Sequence, residues 1–201
     1  MRLINLTKSD VDVRWALEIQ KRIAIPMIYQ KVWPDCIFHH PDKQTTELEK
    51  ALDIAGADKI IQEKTGGLYF LGQRFRTFES SLARGYDDLT LRHYRPRTDY
   101  KAEAYKVIDA LKTGKLLAAF YGYGHLNREQ TKFKEFRIIK FRPFVEEWVS
   151  GNLDPYQHKE NYDGSSSFYA WRFRDIPKNM IYWDLKKQAK QKQTLGDFFN
   201  A

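Results

Sequence analysis

The sequence predicts an α/β protein with one mixed sheet flanked by helices, in the order αβββαβ. Two segments with apolar residues at helical spacing bracket three short stretches of strand character. The second helical segment is followed by Leu116 to Tyr121 (LLAAFY), apolar throughout, as expected of a strand buried on both faces. A chain of 201 residues with 42% hydrophobic and 30% charged residues has the material for one compact core.

A first helix is expected from Ser9 or Asp10, which can cap it, to about Ile23, with Val11, Trp15, Leu17, Ile19 and Ile23 among its apolar positions. Pro26 is expected to interrupt it. Residues 27 to 40 are aromatic and irregular, with breaks at Pro34 and Pro41, and receive no assignment. A second helix spans about Thr45 to Ala55, through Leu48, Leu52 and Ala55, with Gly56 as its stop signal. Asp58 to Gln62 and Leu68 to Arg76 then read as a hairpin joined by the turn Lys64 to Gly67. Beyond an irregular stretch around Arg84 and Gly85, Asp88 to Tyr94 alternates like a half-buried strand. The third helix runs from Tyr100 to Lys112, packs through Tyr105, Val107, Ile108 and Leu111, and ends at Gly114. One more strand is expected around Phe136 to Phe141 and a short helix near Phe144 to Val149. Residues 1–182 make a single domain with its core at about 44–125, and 183–201 a flexible basic tail.

Lys and Arg number 34 against 26 Asp and Glu, a net charge of +8 that favours an anionic partner, nucleic acid before a membrane surface. Aromatic residues at 15% suit base stacking and an ordinary core equally. The single cysteine, Cys36, excludes an intrachain disulfide framework and a cysteine-rich zinc site. Charges at Arg2, Lys8, Asp10, Asp12 and Arg14 leave no signal-peptide-like run, and no stretch reaches the roughly 20 apolar residues of a membrane span. The expected location is the cytoplasm, or the nucleus in a eukaryotic host, with no membrane partner.

Asp58 opens the first hairpin strand, while Gln73, Arg74 and Arg76 lie near the end of the second, so antiparallel pairing brings them to one end of the sheet. A carboxylate held there can bind Mg²⁺ or Mn²⁺, which neutralises phosphate charge and activates water, and a neighbouring cation stabilises the transition state. Asp53, with Glu49 one helical turn before it, can supply further oxygens. Asp53-Ile-Ala-Gly-Ala-Asp58 followed by Gly72-Gln73-Arg74-Phe75-Arg76 resembles the PD-(D/E)XK nuclease superfamily, in a divergent form similar to members from archaeal viruses and phages. Asp88-Leu-Thr-Leu-Arg92 and Glu103 on the following helix fit the same outline, so the resemblance covers about residues 44–125. It implies a restriction-endonuclease-like sheet and a metal-dependent DNA nuclease, with Asp58 and Asp53 as metal ligands, Gln73 orienting a ligand or water, and Arg74 stabilising the transition state. It also allows a homodimer, although no dimer seam is legible. The last motif position holds no lysine. Read literally, Gln73-x-Phe75 puts phenylalanine there; shifted by one residue, Arg74 is the cation and Gly72 takes the place of the acid. Strand alternation sends Gln73 and Arg74 to opposite faces unless a bulge intervenes.

Arg92, His93, Arg95 and Arg97 form a basic cluster directly after the third strand, and with Arg76 they are the expected nucleic-acid-binding residues. Lys132 to Arg142 interleaves cations with apolar residues and reads equally well as a phosphate-tracking surface or as an edge strand guarded by charge. No helix carries a base-reading motif. In the tail, Lys192-Gln-Thr-Leu195-Gly-Asp-Phe198-Phe199 resembles the box by which proteins bind the sliding clamp PCNA, with Lys192 in place of its first Gln. Leu195, Phe198 and Phe199 fall on one face of a helical turn, and a polar, basic spacer precedes them. Docking on the protein's own core is the alternative. Cys36, His39, His40 and Asp42 lack a second ligand pair and read as a polar loop. The expected function is thus a metal-dependent DNA nuclease of replication, repair or recombination recruited to the clamp. The alternatives are a catalytically inactive nuclease-fold adaptor for DNA and clamp, and a clamp-binding inhibitor.

Overall fold

The computed structural model describes residues 8–39, 51–52, 55–94, 102–160 and 166–188. A helix α1 (Lys8–Ile19) continues as a π-helix (Gln20–Tyr29) and closes with the short α2 (Gln30–Val32). Then come β1 (Ile37–His39), β2 (Lys59–Gln62), β3 (Leu68–Arg76), β4 (Asp88–Tyr94), α3 (Glu103–Lys112), β5 (Ala118–Leu126), β6 (Phe133–Lys140) and α4 (Phe141–Val149). Three strands complete the order: β7 (Gln157–Glu160), β8 (Ser167–Arg172) and β9 (Ile181–Asp184). The main sheet is mixed and six-stranded, in the order β1-β2-β3-β5-β6-β9. Only β3 and β5 run parallel, and α3 lies on the connection between them. No helix among the described residues is long and apolar enough to cross a membrane.

Each face of this sheet has its own core. On one, the helix face, Ile19, Ile23, Ala24, Ile28 and Tyr29 pack over Ile61, Leu71, Phe75 and Phe136. On the other, the crossover face, Val107 of α3 and Phe144 of α4 pack against Tyr121 and Tyr123, with Leu89, Leu91 and Trp171 closing the layer. Period-2 alternation along β3 and β5 assigns each residue to one of these layers. Gly122 belongs to the helix face, where an added Cβ would sit 2.8 Å from the Tyr29 hydroxyl and 3.2 Å from the Phe136 ring. A side chain there would push Tyr29 off the sheet.

The expected break at Pro26 does not occur. Pro26 lies inside the π-helix, whose wider turn draws the preceding carbonyls away from the pyrrolidine ring. Burial of Ile23, Ala24, Ile28 and Tyr29 outweighs the missing N–H bond. The third predicted strand, β4, leaves the main sheet and joins β8 and β7 in a separate three-stranded antiparallel sheet. The predicted strand at Leu116 begins at Ala118 and runs on to Leu126. β6 starts earlier than expected, at Phe133, and is no edge strand, since β9 pairs with its outer side.

Candidate functional site

The hairpin places Asp58 one residue before β2, where the next rung of the ladder would be. Lys59 pairs with Leu71, and the Asp58 N–H donates to the Leu71 carbonyl at 2.9 Å. The exposed Asp58 side chain then takes the place of a backbone partner, its Oδ2 accepting the Gln73 N–H at 2.7 Å. A charged acceptor makes this a strong hydrogen bond. Asp58 is thereby fixed to β3 at Gln73, as the sequence spacing predicts.

The side chains of Gln73 and Arg74 part company. The register shift between β3 and β5 falls at Phe70 and Leu71, where β5 carries the extra residue, so regular alternation along β3 carries Gln73 and Arg74 to opposite faces. On the helix face, the Tyr29 hydroxyl donates to Gln73 Oε1 at 3.0 Å. Tyr29 is fully buried, and burial together with the nearby Asp58 carboxylate pushes its phenol well above the ordinary range. Phe75 also lies on this face, 7% exposed, with its ring centroid 5.4 Å from that of Phe133. The position read as the motif's missing lysine is therefore core. The shifted reading fails for a different reason: a Cβ at Gly72 would come within 2.7 Å of the Gly56 carbonyl oxygen and of Tyr121. No acid fits there.

On the crossover face, Arg74 Nη1 donates to Glu103 Oε2 at 2.9 Å, and the guanidinium lies 5.2 Å from the Phe168 ring centroid. Glu103 Oε2 also accepts the Arg92 N–H at 3.2 Å, and Oε1 accepts the Tyr121 hydroxyl. Burial opposes the Arg74 charge most strongly, but Glu103 together with Tyr123 and Tyr121 more than offsets it and raises the pKa. Tyr121 is held protonated by burial and by Glu103. A salt bridge enclosed in this way costs much to break, because one charge would be left behind. Arg74 is thus committed to Glu103, on the face away from the Gln73 side chain.

Arg76, expected to meet nucleic acid, is also turned inward. Its guanidinium donates to Ser80, to Thr90 Oγ1 at 3.3 Å and to the Tyr123 hydroxyl at 3.4 Å. Arg92 is partly buried against Phe168, 5.7 Å from the ring centroid. Within the Lys132 to Arg142 stretch, Arg137 is buried among acids, whereas Lys132, Lys134, Lys140 and Arg142 are exposed. Asp53, Glu49, Arg95, Arg97, Lys192, Leu195, Phe198 and Phe199 lie outside the described residues. Asp58 can offer oxygen to Mg²⁺ or Mn²⁺, the usual hard-cation chemistry of a carboxylate. Glu103 has both oxygens engaged, and no group of three or more His, Cys, Asp or Glu poised for a metal occurs among the described residues.

Sequence reasoning passed over Lys59 and Gln20. Both are fully buried, and Lys59 Nζ, Gln20 Nε2 and Gln20 Oε1 have no hydrogen-bond partner among the described residues. Burial, and secondarily Lys21, lowers the Lys59 pKa to about 6. The signal was present in the alternation: Lys59 stands two residues before Ile61, hence on the buried face of β2. Tyr29 fell in the unassigned segment that follows Pro26.

Fold and site define an α/β protein with a carboxylate fixed at a strand end of a mixed sheet. No protein-family model matches the chain, and neither do curated proteins nor solved structures.

Proposed function

We propose that the protein is a DNA-binding adaptor built on a PD-(D/E)XK-like core and tethered to the sliding clamp by its C-terminal box. One observation carries the choice of adaptor over enzyme: β3 sends Gln73 and Arg74 to opposite faces, and Arg74 is tied to Glu103 at 2.9 Å. Of the residues expected to cooperate in hydrolysis, Gln73 and Arg74 are thus separated, and Arg74 spends its charge on Glu103 rather than on the Asp58 carboxylate. Support for the nuclease-like core comes from the antiparallel hairpin β2-β3, the crossover helix α3 and the parallel β5, with β1 rather than the expected β4 as the third strand of that antiparallel group and β4 set apart in the second sheet. The net charge of +8 supports an anionic polymer as partner.

A second reading, a Mg²⁺-dependent deoxyribonuclease acting in replication, repair or recombination, is favoured by Asp58 itself, exposed at the strand end and held at a fixed distance from β3. Bound there, the metal would supply charge neutralisation at phosphate and an acidified water. Asp58 would hold it, and Gln73, fixed by Tyr29, would set the neighbouring backbone.

The deciding experiment incubates the protein and its Asp58→Ala variant with labelled single-stranded, duplex and branched DNA, with Mg²⁺, Mn²⁺ or EDTA. The adaptor reading expects retention of all three substrates in a salt-dependent manner and no cleavage. Metal-dependent cutting that disappears in the variant would replace it with the nuclease. In parallel, Phe198→Ala with Phe199→Ala should abolish clamp binding at unchanged thermal stability; a large fall in melting temperature would instead place those rings on the protein's own core.

A further inference from the structure

We propose that Gln20, Lys21 and Lys59 form a binding site for a phosphate group that retains one P–OH, as inorganic phosphate or as the terminal monoester of a nucleic-acid end. The starting point is a set of three orphaned atoms in one layer. Gln20 opens the inward side of the π-helix, whose residues Ile23 and Ala24 pack over Ile61 and Leu71. Lys59 pairs with Leu71 on the same face of the sheet. Both side chains are fully buried, and Lys59 Nζ, Gln20 Nε2 and Gln20 Oε1 lack hydrogen-bond partners among the described residues. Buried polar groups are nearly always paired, so such atoms mark a place where another molecule supplies the partner.

The inventory selects the ligand. Nζ and Nε2 are donors and call for acceptor oxygens; Oε1 is an acceptor and calls for a donor. An oxyanion with one remaining hydroxyl meets all three, as hydrogenphosphate does at neutral pH, whereas a terminal monoester, with its second pKa at about 6, meets them only after taking up a proton. An internal phosphodiester or a sulfate has no such hydroxyl and leaves Oε1 unpaired. Lys21, exposed on the next helical position and close enough to act on the Lys59 charge, adds positive potential at the entrance. A run of π-helix is rare and occurs frequently at functional sites. Here it covers the orphaned atoms, so entry requires its first turn to open.

Binding would change the protonation of the protein. The free amine carries little charge near pH 7.5, since its pKa is about 6, and an anion beside it favours the ammonium form. For hydrogenphosphate the chemistry balances with one proton taken from solvent by Lys59 Nζ, a monoester dianion taking up a second on its own oxygen, and no bond to phosphorus forms or breaks.

Titration calorimetry of the full chain with inorganic phosphate, at about pH 7.5 in buffers of different ionisation enthalpy, should show saturable binding with uptake of about one proton per site. Sulfate should bind about tenfold or more weakly. Lys59→Met, which keeps the length of the side chain, and Gln20→Leu should each weaken phosphate binding by about tenfold or more, and Lys59→Met should also remove the proton uptake. A 5′-phosphorylated oligonucleotide that outcompetes its unphosphorylated twin assigns the site to a nucleic-acid end; equal competition leaves it to free phosphate. Absence of phosphate binding in the wild type, equal affinity for sulfate, or unchanged binding in Gln20→Leu with proton uptake intact in Lys59→Met would overturn the site. None of these readouts depends on DNA cleavage or on the clamp, so failure here and failure of the adaptor reading are separable.

Discussion

Arg137 and Lys59 are both basic residues on strands of the same sheet, both removed from water, and their surroundings could hardly differ more. Arg137 donates to Asp87 Oδ1 at 2.9 Å, Glu135 Oε2 at 3.3 Å and Asp184 Oδ2 at 3.2 Å, with the Phe173 ring centroid 4.1 Å from the guanidinium carbon. Lys186 adds a second cation at Glu135. Burial alone would raise the Asp87 carboxyl, yet its hydrogen bond with Glu135 and the Arg137 charge bring it below its usual value. Glu135 moves the other way, raised by burial and by Asp87. Of the two acids, Asp87 thus gives up its proton more readily than Glu135. Lys59 has no such company, and it gives up its own proton instead. A buried charge with a full set of partners explains itself as architecture, joining β6, β9 and the approach to β4. A buried amine without partners among the described residues asks what it is for.

The widest separation between the two regions is expected on deleting each cation. Arg137→Ala leaves three carboxylates facing one another across the sheet edge and should lower stability by about 3–5 kcal/mol, read as a shift in the urea midpoint. A loss below about 1 kcal/mol would mean that solvent already screens the network.

Lys59→Met should move stability in the opposite direction, in a pH-dependent way. The folded-state pKa of about 6 lies below the ordinary 10.5 of lysine. Between these values the unfolded chain binds the additional proton, so stability of the wild type rises with pH across that window, by about 1.4 kcal/mol per unit. Below about pH 6 both states are protonated and the full cost of the buried ammonium is felt. In phosphate-free buffer the variant should therefore be the more stable protein at pH 6, with the gap narrowing by about 3 kcal/mol between pH 7 and 9. Parallel stability curves for the two proteins would show that Lys59 reaches water in the folded state.

The same contrast separates what the sequence disclosed from what it withheld. The 58–76 hairpin was legible because a glycine-containing turn divides two runs with strand character, and the tie between Asp58 and Gln73 follows from that register. Alternation also announced that Gln73 and Arg74 would part. It tells which residues share a face but not which strand lies alongside, so the departure of β4 into a second sheet was hidden. β7 was hidden as well, because Gln157–Glu160 has no apolar residue to declare it a strand. The helix through Pro26 depended on a π-helical turn that no local rule anticipates. Two partners of Arg137, Asp87 and Asp184, come from distant segments, Asp184 becoming a neighbour only when β9 closes against β6, while Glu135 lies two residues away on β6 itself.

The smallest effect expected is also the one that best isolates the Gln73 side of the site. Tyr29→Phe removes the hydroxyl that donates to Gln73 Oε1 at 3.0 Å and leaves the aromatic packing against Phe38 and Phe136 in place. The loss should be about 1 kcal/mol, the usual net worth of a neutral hydrogen bond. Burial and Asp58 keep this phenol protonated to well above its usual range, so the folded state neither gains nor loses a proton there at neutral pH. The stability gap between wild type and Tyr29→Phe should therefore stay flat from pH 6 to 9, over the interval in which the Lys59→Met gap closes. A gap that narrows in parallel with that of Lys59→Met would mean that the two residues titrate as one network and that the orphaned amine extends to Gln73, joining the phosphate site to the Asp58 strand end.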